Sequence, residues 1–248
     1  MKILALFLII FTQSLYALVS IMPLEVGSKA GFHGSSELSL ETKRGNTDKE
    51  NYKGALRLIY DNNASFVTWA EVSAEYGESN NIEDTNKAYI HARHIQAITP
   101  QMLRAEFFLQ TQEDKFRLIN YRRLAGAGIR AKLPQLSLNS QGYFGVGAFY
   151  ETINYLSLDP QEKNIRLNSY IAYGLELENG ATLSYTFYFQ PLYNNFSDAV
   201  STHSLALKLN VYKELFLQFK LSYDADTKAP KDVGQYDFTQ NTSFIFNF

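Results

Sequence analysis

From Phe32 to the final Phe248, apolar and polar residues exchange places at every second position, in about twelve stretches of roughly 10–14 residues. A period of two belongs to a strand, whose successive side chains leave opposite faces. In the third stretch Ala70, Val72 and Ala74 oppose Glu71, Ser73 and Glu75. In the ninth, Leu183, Tyr185, Phe187 and Phe189 oppose Thr182, Ser184, Thr186 and Gln190. Globular strands run nearer ~5–6 residues, whereas a tilted strand needs roughly 9–11 to cross a bilayer. Turn-like segments, "DNNA" (61–64), "TPQ" (99–101), "ENGA" (178–181) and "YKE" (212–214), alternate with longer polar ones such as "GESNNIEDTN" (77–86), "YNNFSDAVST" (193–202) and "DADTKAPKDVGQY" (224–236). "LPQLSLNSQG" (133–142) is long where a tight turn is due.

The fold expected is all-β: a transmembrane antiparallel up-and-down β-barrel of about 12 strands. An even count brings both chain ends to the periplasmic side, and short turns then alternate with longer exterior loops. Closure satisfies every backbone donor and acceptor, which an open sheet in lipid cannot do. The alternative is a secreted β-sandwich or lipocalin-like barrel, in which so much outward apolar surface would promote aggregation. Aromatics make up 15% of the chain against 6 prolines, a composition rich in strand formers and poor in sheet breakers. Tyr52, Tyr60, Tyr76, Tyr150 and Tyr223 lie near strand ends, where aromatic girdles form.

The opening "MKILALFLIIFTQSLYALVS" has one lysine, an apolar run from Ile3 to Phe11, then Thr12, Gln13 and Ser14. It reads as a signal peptide over 1–17, cut after Ala17. Residues 18–30 then form a short periplasmic segment and 31–248 the barrel. No later stretch approaches ~20 apolar residues, so no transmembrane helix follows. Export with a barrel predicts residence in a bacterial outer membrane, among its lipid and lipopolysaccharide, as a monomer. The net charge of −2 gives no pull toward nucleic acid. The absence of cysteine excludes disulfides, zinc–thiolate sites and a cysteine nucleophile.

In a barrel the polar parity lines the lumen. It carries Glu37, Glu41, Lys53, Arg57, Glu71, Glu75, Arg93, Arg104, Glu106, Arg166, Glu176, Lys208 and Lys220. These charges read either as a solute path whose selectivity they tune or as a plug of paired side chains. About twelve strands lie between the filled eight-stranded barrel and the open 16–18-stranded porin, so width does not decide. Gly126, Gly128, Gly145 and Gly147 share the inward parity of two neighbouring strands. They leave room for a passage or for another group to pack, or they let the strands bend. Two positions break the parity. Arg123 falls on the lipid face unless a bulge turns it inward, and His94 with Gln96 takes the apolar parity from Ile95 and Ala97.

Catalysis would need a nucleophile, a base and an orienting group within reach. His203 adjoins Ser204, but neighbours on a strand face opposite ways. His33 and His91 read as hydrated lumen histidines. Asp224, Asp226 and Asp232 read as a solvated loop rather than a Ca²⁺ site. No cofactor is expected.

The stretch "GFHGSSELSLETKRGNTDKEN" (31–51), with Gly31 and Gly34 before an alternating strand and the loop Gly45-Asn46-Thr47-Asp48, resembles the opening of the salt-induced outer-membrane protein family, whose function is unassigned. "AEYGES" (74–79) and "RRLAGAGIRAKL" (122–133) resemble later segments in the family's order. Ser39 and Leu40 depart from it, because the family often has glycine there. The resemblance implies an outer-membrane barrel and brings no catalytic residues. The closing "TSFIFNF" likewise resembles the C-terminal signal read by the barrel-assembly machinery, with Phe244, Phe246 and Phe248 carrying it. The function expected is a small passive, porin-like channel. A structural or adhesive barrel is the alternative, and an outer-membrane hydrolase stands behind both.

Overall fold

A computed structural model describes residues 24–43, 48–99, 102–156, 161–177, 180–230 and 233–248. The expected signal peptide, Gly45 to Thr47 and Asp232 lie outside the described residues. Twelve strands make up the wall: β1 Gly31–Lys43, β2 Lys49–Asp61, β3 Phe66–Ser79, β4 Ile82–Ala97, β5 Leu103–Asp114, β6 Ile119–Lys132, β7 Ser140–Tyr155, β8 Glu162–Glu176, β9 Thr182–Leu192, β10 Asn195–Tyr212, β11 Leu215–Asp226 and β12 Tyr236–Asn247. Each pairs antiparallel with its sequence neighbours, and β1 pairs with β12, so the sheet closes on itself. This is the expected twelve-stranded up-and-down barrel. The start of β1 and the end of β12 lie at one end, the inner end; the other is the outer end.

The connections depart from the expected alternation. Residues 77–86 are not a loop: β3 runs to Ser79 and β4 starts at Ile82. The turn between them is Asn80-Asn81, both at positive φ (50° and 59°), the two-residue hairpin geometry that asparagine tolerates. Residues 193–202 are also mostly strand, because β10 begins at Asn195. At the inner end Asn62 builds the β2–β3 turn, its side-chain oxygen accepting from the amides of Ala64, Ser65 and Phe66. At the outer end a 3₁₀ turn, Lys115–Arg117, joins β5 to β6. Asp114 caps it by accepting from the amides of Phe116 and Arg117, and Leu118 at φ 59° closes it.

Burial follows the parity. Leu56, Val72, Ile90, Leu109, Leu205 and Phe219 point outward and are exposed, whereas Glu71, His91, Glu106, Ser204 and Lys220 point inward and are buried. A sheet with its apolar residues outside and its charges inside suits a lipid surround. Tyr52 sits opposite Tyr76 at the outer rim of this band. Phe32 and Tyr60 pack at the inner rim with ring centroids 4.7 Å apart.

The two irregular positions resolve without a slip. β4 stays in register with β3 and β5 through His94, Ile95 and Gln96. Ile95 points inward because the lumen has an apolar patch there, formed with Ile59, Val67 and Trp69. His94 stays outside, 2.8 Å from Thr68 Oγ1. Arg123 also stays outside, its guanidinium 4.7 Å from the Tyr121 ring centre, and the bulge in β6 lies earlier, between Ile119 and Tyr121.

Candidate functional site: the barrel lumen

The lumen is filled on one side. Between β4 and β9 many of the inward residues are long or aromatic. Arg93 lies 5.2 Å from the Phe108 ring and 5.8 Å from each of the Trp69 and Tyr170 rings. His91 stacks on Trp69 at 4.8 Å, within 3.0 Å of the Tyr89 hydroxyl. Glu106 accepts a 2.6 Å hydrogen bond from Tyr170, three strands away, and lies 3.7 Å from Arg93 and 3.4 Å from Arg130. Glu151 is fully enclosed between Arg122 (2.7 Å) and Arg166 (2.6 Å), and Arg166 also pairs with Asp198 at 2.9 Å. Low polarity strengthens such pairs and makes an unpaired member costly.

The inward glycines make this filling possible. A Cβ at Gly126 would stand 2.4 Å from the Phe108 ring, and one at Gly145 would stand 2.1 Å from the Tyr170 ring. Gly128 and Gly147 face each other across strands, where a Cβ would meet the partner's backbone within 2.7 Å. Of the sequence readings for these glycines, the structure shows the packing of other groups.

The opposite side, from β10 through β12 to β2, carries small side chains such as Ser35, Ala55 and Ala206 among a few charges. A cavity of about 100 Å³ remains there, bordered by Glu37, Lys53, Arg57, Glu71, Lys208 and Lys220. Lys53 donates to Glu37 at 3.0 Å and Arg57 Nε donates to Glu71 at 2.6 Å. Lys208 places its ammonium 4.3 Å above the Phe216 ring.

Contacts among the described residues reach across both mouths. At the inner end the segment before β1 turns back under the barrel. The Leu24 carbonyl accepts from Arg130, Glu25 pairs with Lys132, and Leu24 and Val26 pack on the Ile59–Trp69–Ile95 patch. Asp61 anchors the segment by accepting from the amides of Gly27 (2.8 Å) and Ser28 (3.1 Å). At the outer end Arg117, on the β5–β6 turn, reaches across the mouth to Asp237 on β12 at 2.9 Å.

The structure brings Glu37, Lys53, Arg57, Glu71, Lys208 and Lys220 around one cavity and Arg93, Glu106 and Arg166 into the filled side. Arg104 stands apart near the inner rim, donating to the Thr99 carbonyl at 2.7 Å. Sequence reasoning did not single out Arg122, Arg130 or Glu151 as site residues, although their parity marks them as inward. Arg117, Asp237, Glu25 and Asp61 carry no local signal, because their contacts join distant parts of the chain. Asp224 is not in a loop: it points inward from β11 and accepts from Thr202 at 2.6 Å. Among the described residues no group of three or more His, Asp or Glu side chains is placed to hold a metal. His203 packs outside on Phe187 at 4.4 Å, while Ser204 is buried inside.

A family model described as "Protein of unknown function, DUF481" matches residues 36–248, and the chain belongs to that family. No curated protein matches the sequence. Among solved structures the barrel resembles the translocator domain of autotransporter NalP from Neisseria meningitidis, at 9% identity over 88% of each chain with a TM-score of 0.55. It also resembles the COG4313 outer membrane channel from Pseudomonas putida F1, at 10% identity over 92% of this chain and 97% of that one, again with a TM-score of 0.55. At these identities the likeness is one of fold: a closed barrel of the outer-membrane kind.

Proposed function

We propose that this member of the family is a narrow passive channel of the bacterial outer membrane, with its inner end in the periplasm and a preference for small anions. The observation that carries the reading is the lopsided lumen. One side is packed by aromatic and ion-paired side chains, and the remaining space runs beside small residues of β10–β12 and β1–β2. Four cationic groups border it, Lys53, Arg57, Lys208 and Lys220, against two anionic ones, Glu37 and Glu71. Charges lining a confined path set which ions enter, and a low-dielectric wall focuses their field. The resemblance of residues 31–133 to the salt-induced outer-membrane proteins supports the same membrane. A monomer among outer-membrane lipid and lipopolysaccharide, delivered by the barrel-assembly machinery, completes the reading. Hydrolysis is not part of it, since His203 and Ser204 lie on opposite faces of the wall.

The test is conductance of the purified protein in planar bilayers. Discrete steps are expected, with a reversal potential in a KCl gradient that reports anion preference. Replacing both Lys208 and Lys220 with Gln should move that potential toward cations. A second reading, a non-conducting structural barrel, is favoured by the contacts that reach across the mouths. It is preferred if no steps are seen under any ionic condition, including in a variant lacking the Arg117–Asp237 bridge.

A further inference from the structure

The wall is not sealed along its whole height. β1 pairs with β12 from Ser35–Leu38 against Asn247–Phe244, extended by one more pair in which Gly34 and Phe248 exchange backbone hydrogen bonds at 2.9 and 3.0 Å. Above Leu38, β1 continues to Lys43 with β2 paired on its other side throughout. β12 likewise continues up to Tyr236 with β11 beside it. Each of these two upper segments therefore has one edge outside any ladder. Two side-chain contacts span the seam instead: Ser39 Oγ donates to the Thr242 carbonyl at 2.8 Å, and Asn241 Nδ2 donates to Ser39 Oγ at 3.2 Å.

A bare strand edge is not tolerated against hydrocarbon, but it is where it lines a hydrated cavity. Such a cavity is present, about 350 Å³ in volume. Its border includes Ser39, Asn51, Lys53 and Asn241 from the lumen face, and also Leu40 and Thr242 from the outward face. Residues of both parities on the two strands therefore border one space at the seam. Beside it the Thr239 hydroxyl, on a residue only 5% exposed, has no hydrogen-bond partner among the described residues. Leu40 lies opposite Tyr52 of the outer aromatic girdle, so the opening stands at the headgroup level of the outer leaflet. Lys53 borders this opening and the lumen cavity alike.

We propose that the β1–β12 seam is a lateral portal for an amphiphile of the outer leaflet. Its hydrogen-bonding head enters between Ser39, Asn51, Lys53 and Asn241, and its apolar part stays in the bilayer against Leu40, which is 72% exposed. The portal goes beyond ion conduction and does not depend on it.

The chain has no cysteine, so a single bimane label can be attached cleanly to Ser39→Cys, with Ser222→Cys as control. Ser222 is equally a lumen residue, but on β11, which is laddered on both sides at that height. Each variant is reconstituted in phosphatidylcholine vesicles doped with headgroup-nitroxide phosphatidylcholine, after its folded form is verified by gel migration with and without boiling. Severalfold greater loss of emission at position 39 than at 222 is expected. Equal loss at the two positions overturns the portal. Quenching at position 39 by aqueous iodide but not by the nitroxide lipid also overturns it, leaving a hydrated crevice that lipid does not enter. Asn241→Cys supplies a second label site on the facing strand if Ser39→Cys does not fold.

Discussion

Glu151 shows how much one side chain can hold. It is 0% exposed and accepts from two guanidiniums that belong to the strands on either side of its own. Glu151→Gln keeps the shape but leaves Arg122 and Arg166 without their shared charge. Removing one member of a buried pair costs about 3–5 kcal/mol, so the variant should unfold at clearly lower urea in detergent micelles. Breaking the open Lys115–Glu83 pair at the outer rim should change stability by no more than about 1 kcal/mol, which makes Glu83→Gln the control. Parity in the sequence already sets Glu151, Arg122 and Arg166 on the inward face. Which of them touch depends on how β6, β7 and β8 register, and alternation excludes a one-residue slip but not a slip by two. The same limit applies to Gly126 and Gly145. As sequence they look like missing bulk, and only the register shows Phe108 and Tyr170 filling their places.

At the scale of elements, the twelve strands were legible because the bilayer enforces alternation wherever one face meets lipid. Their outer ends were not. Above the membrane both faces are wet, so alternation fades while the backbone ladder continues. Residues 77–86 and 193–202 therefore read as loops, although β3, β4 and β10 run through most of them. The contacts across the mouths were invisible for a different reason, since they join residues far apart in the chain. The outer one yields a prediction. Arg117 and Asp237 meet across the mouth with both side chains largely buried. Arg117→Gln and Asp237→Asn each remove one charge of the pair and should raise the open probability of single channels. Because neither residue borders the cavity between β10 and β2, the reversal potential should stay unchanged. A shift in selectivity with no change in opening would show that the pair lines the path instead of covering it.

For the whole molecule, closure rests on a short contact. β1 and β12 meet over few pairs, and the last of them joins Gly34 to the terminal Phe248. The Phe248 ring lies over Gly34, where an added Cβ would stand 2.8 Å from the ring and 2.5 Å from the Arg57 carbonyl. Gly34, which in the sequence is one member of a glycine pair before a strand, is thus the seat for the closing aromatic. Deleting Phe248 removes two backbone hydrogen bonds and uncovers that seat. The yield of folded barrel, read as the fraction whose gel migration changes on boiling, should fall, while the barrels that do form should keep the parent conductance. Two causes predict the fall, and they separate by where it is measured. If Phe248 acts by closing the wall, refolding of the purified chain into detergent suffers as well, and Gly34→Ala produces the same loss. If it acts as a signal to the assembly machinery, the loss appears in cells alone, and Gly34→Ala, which leaves the terminus intact, assembles better than the truncated chain. Normal assembly of the truncated chain in both settings would remove both roles and would place closure on Ser35–Leu38 and the Ser39–Thr242 bridge alone.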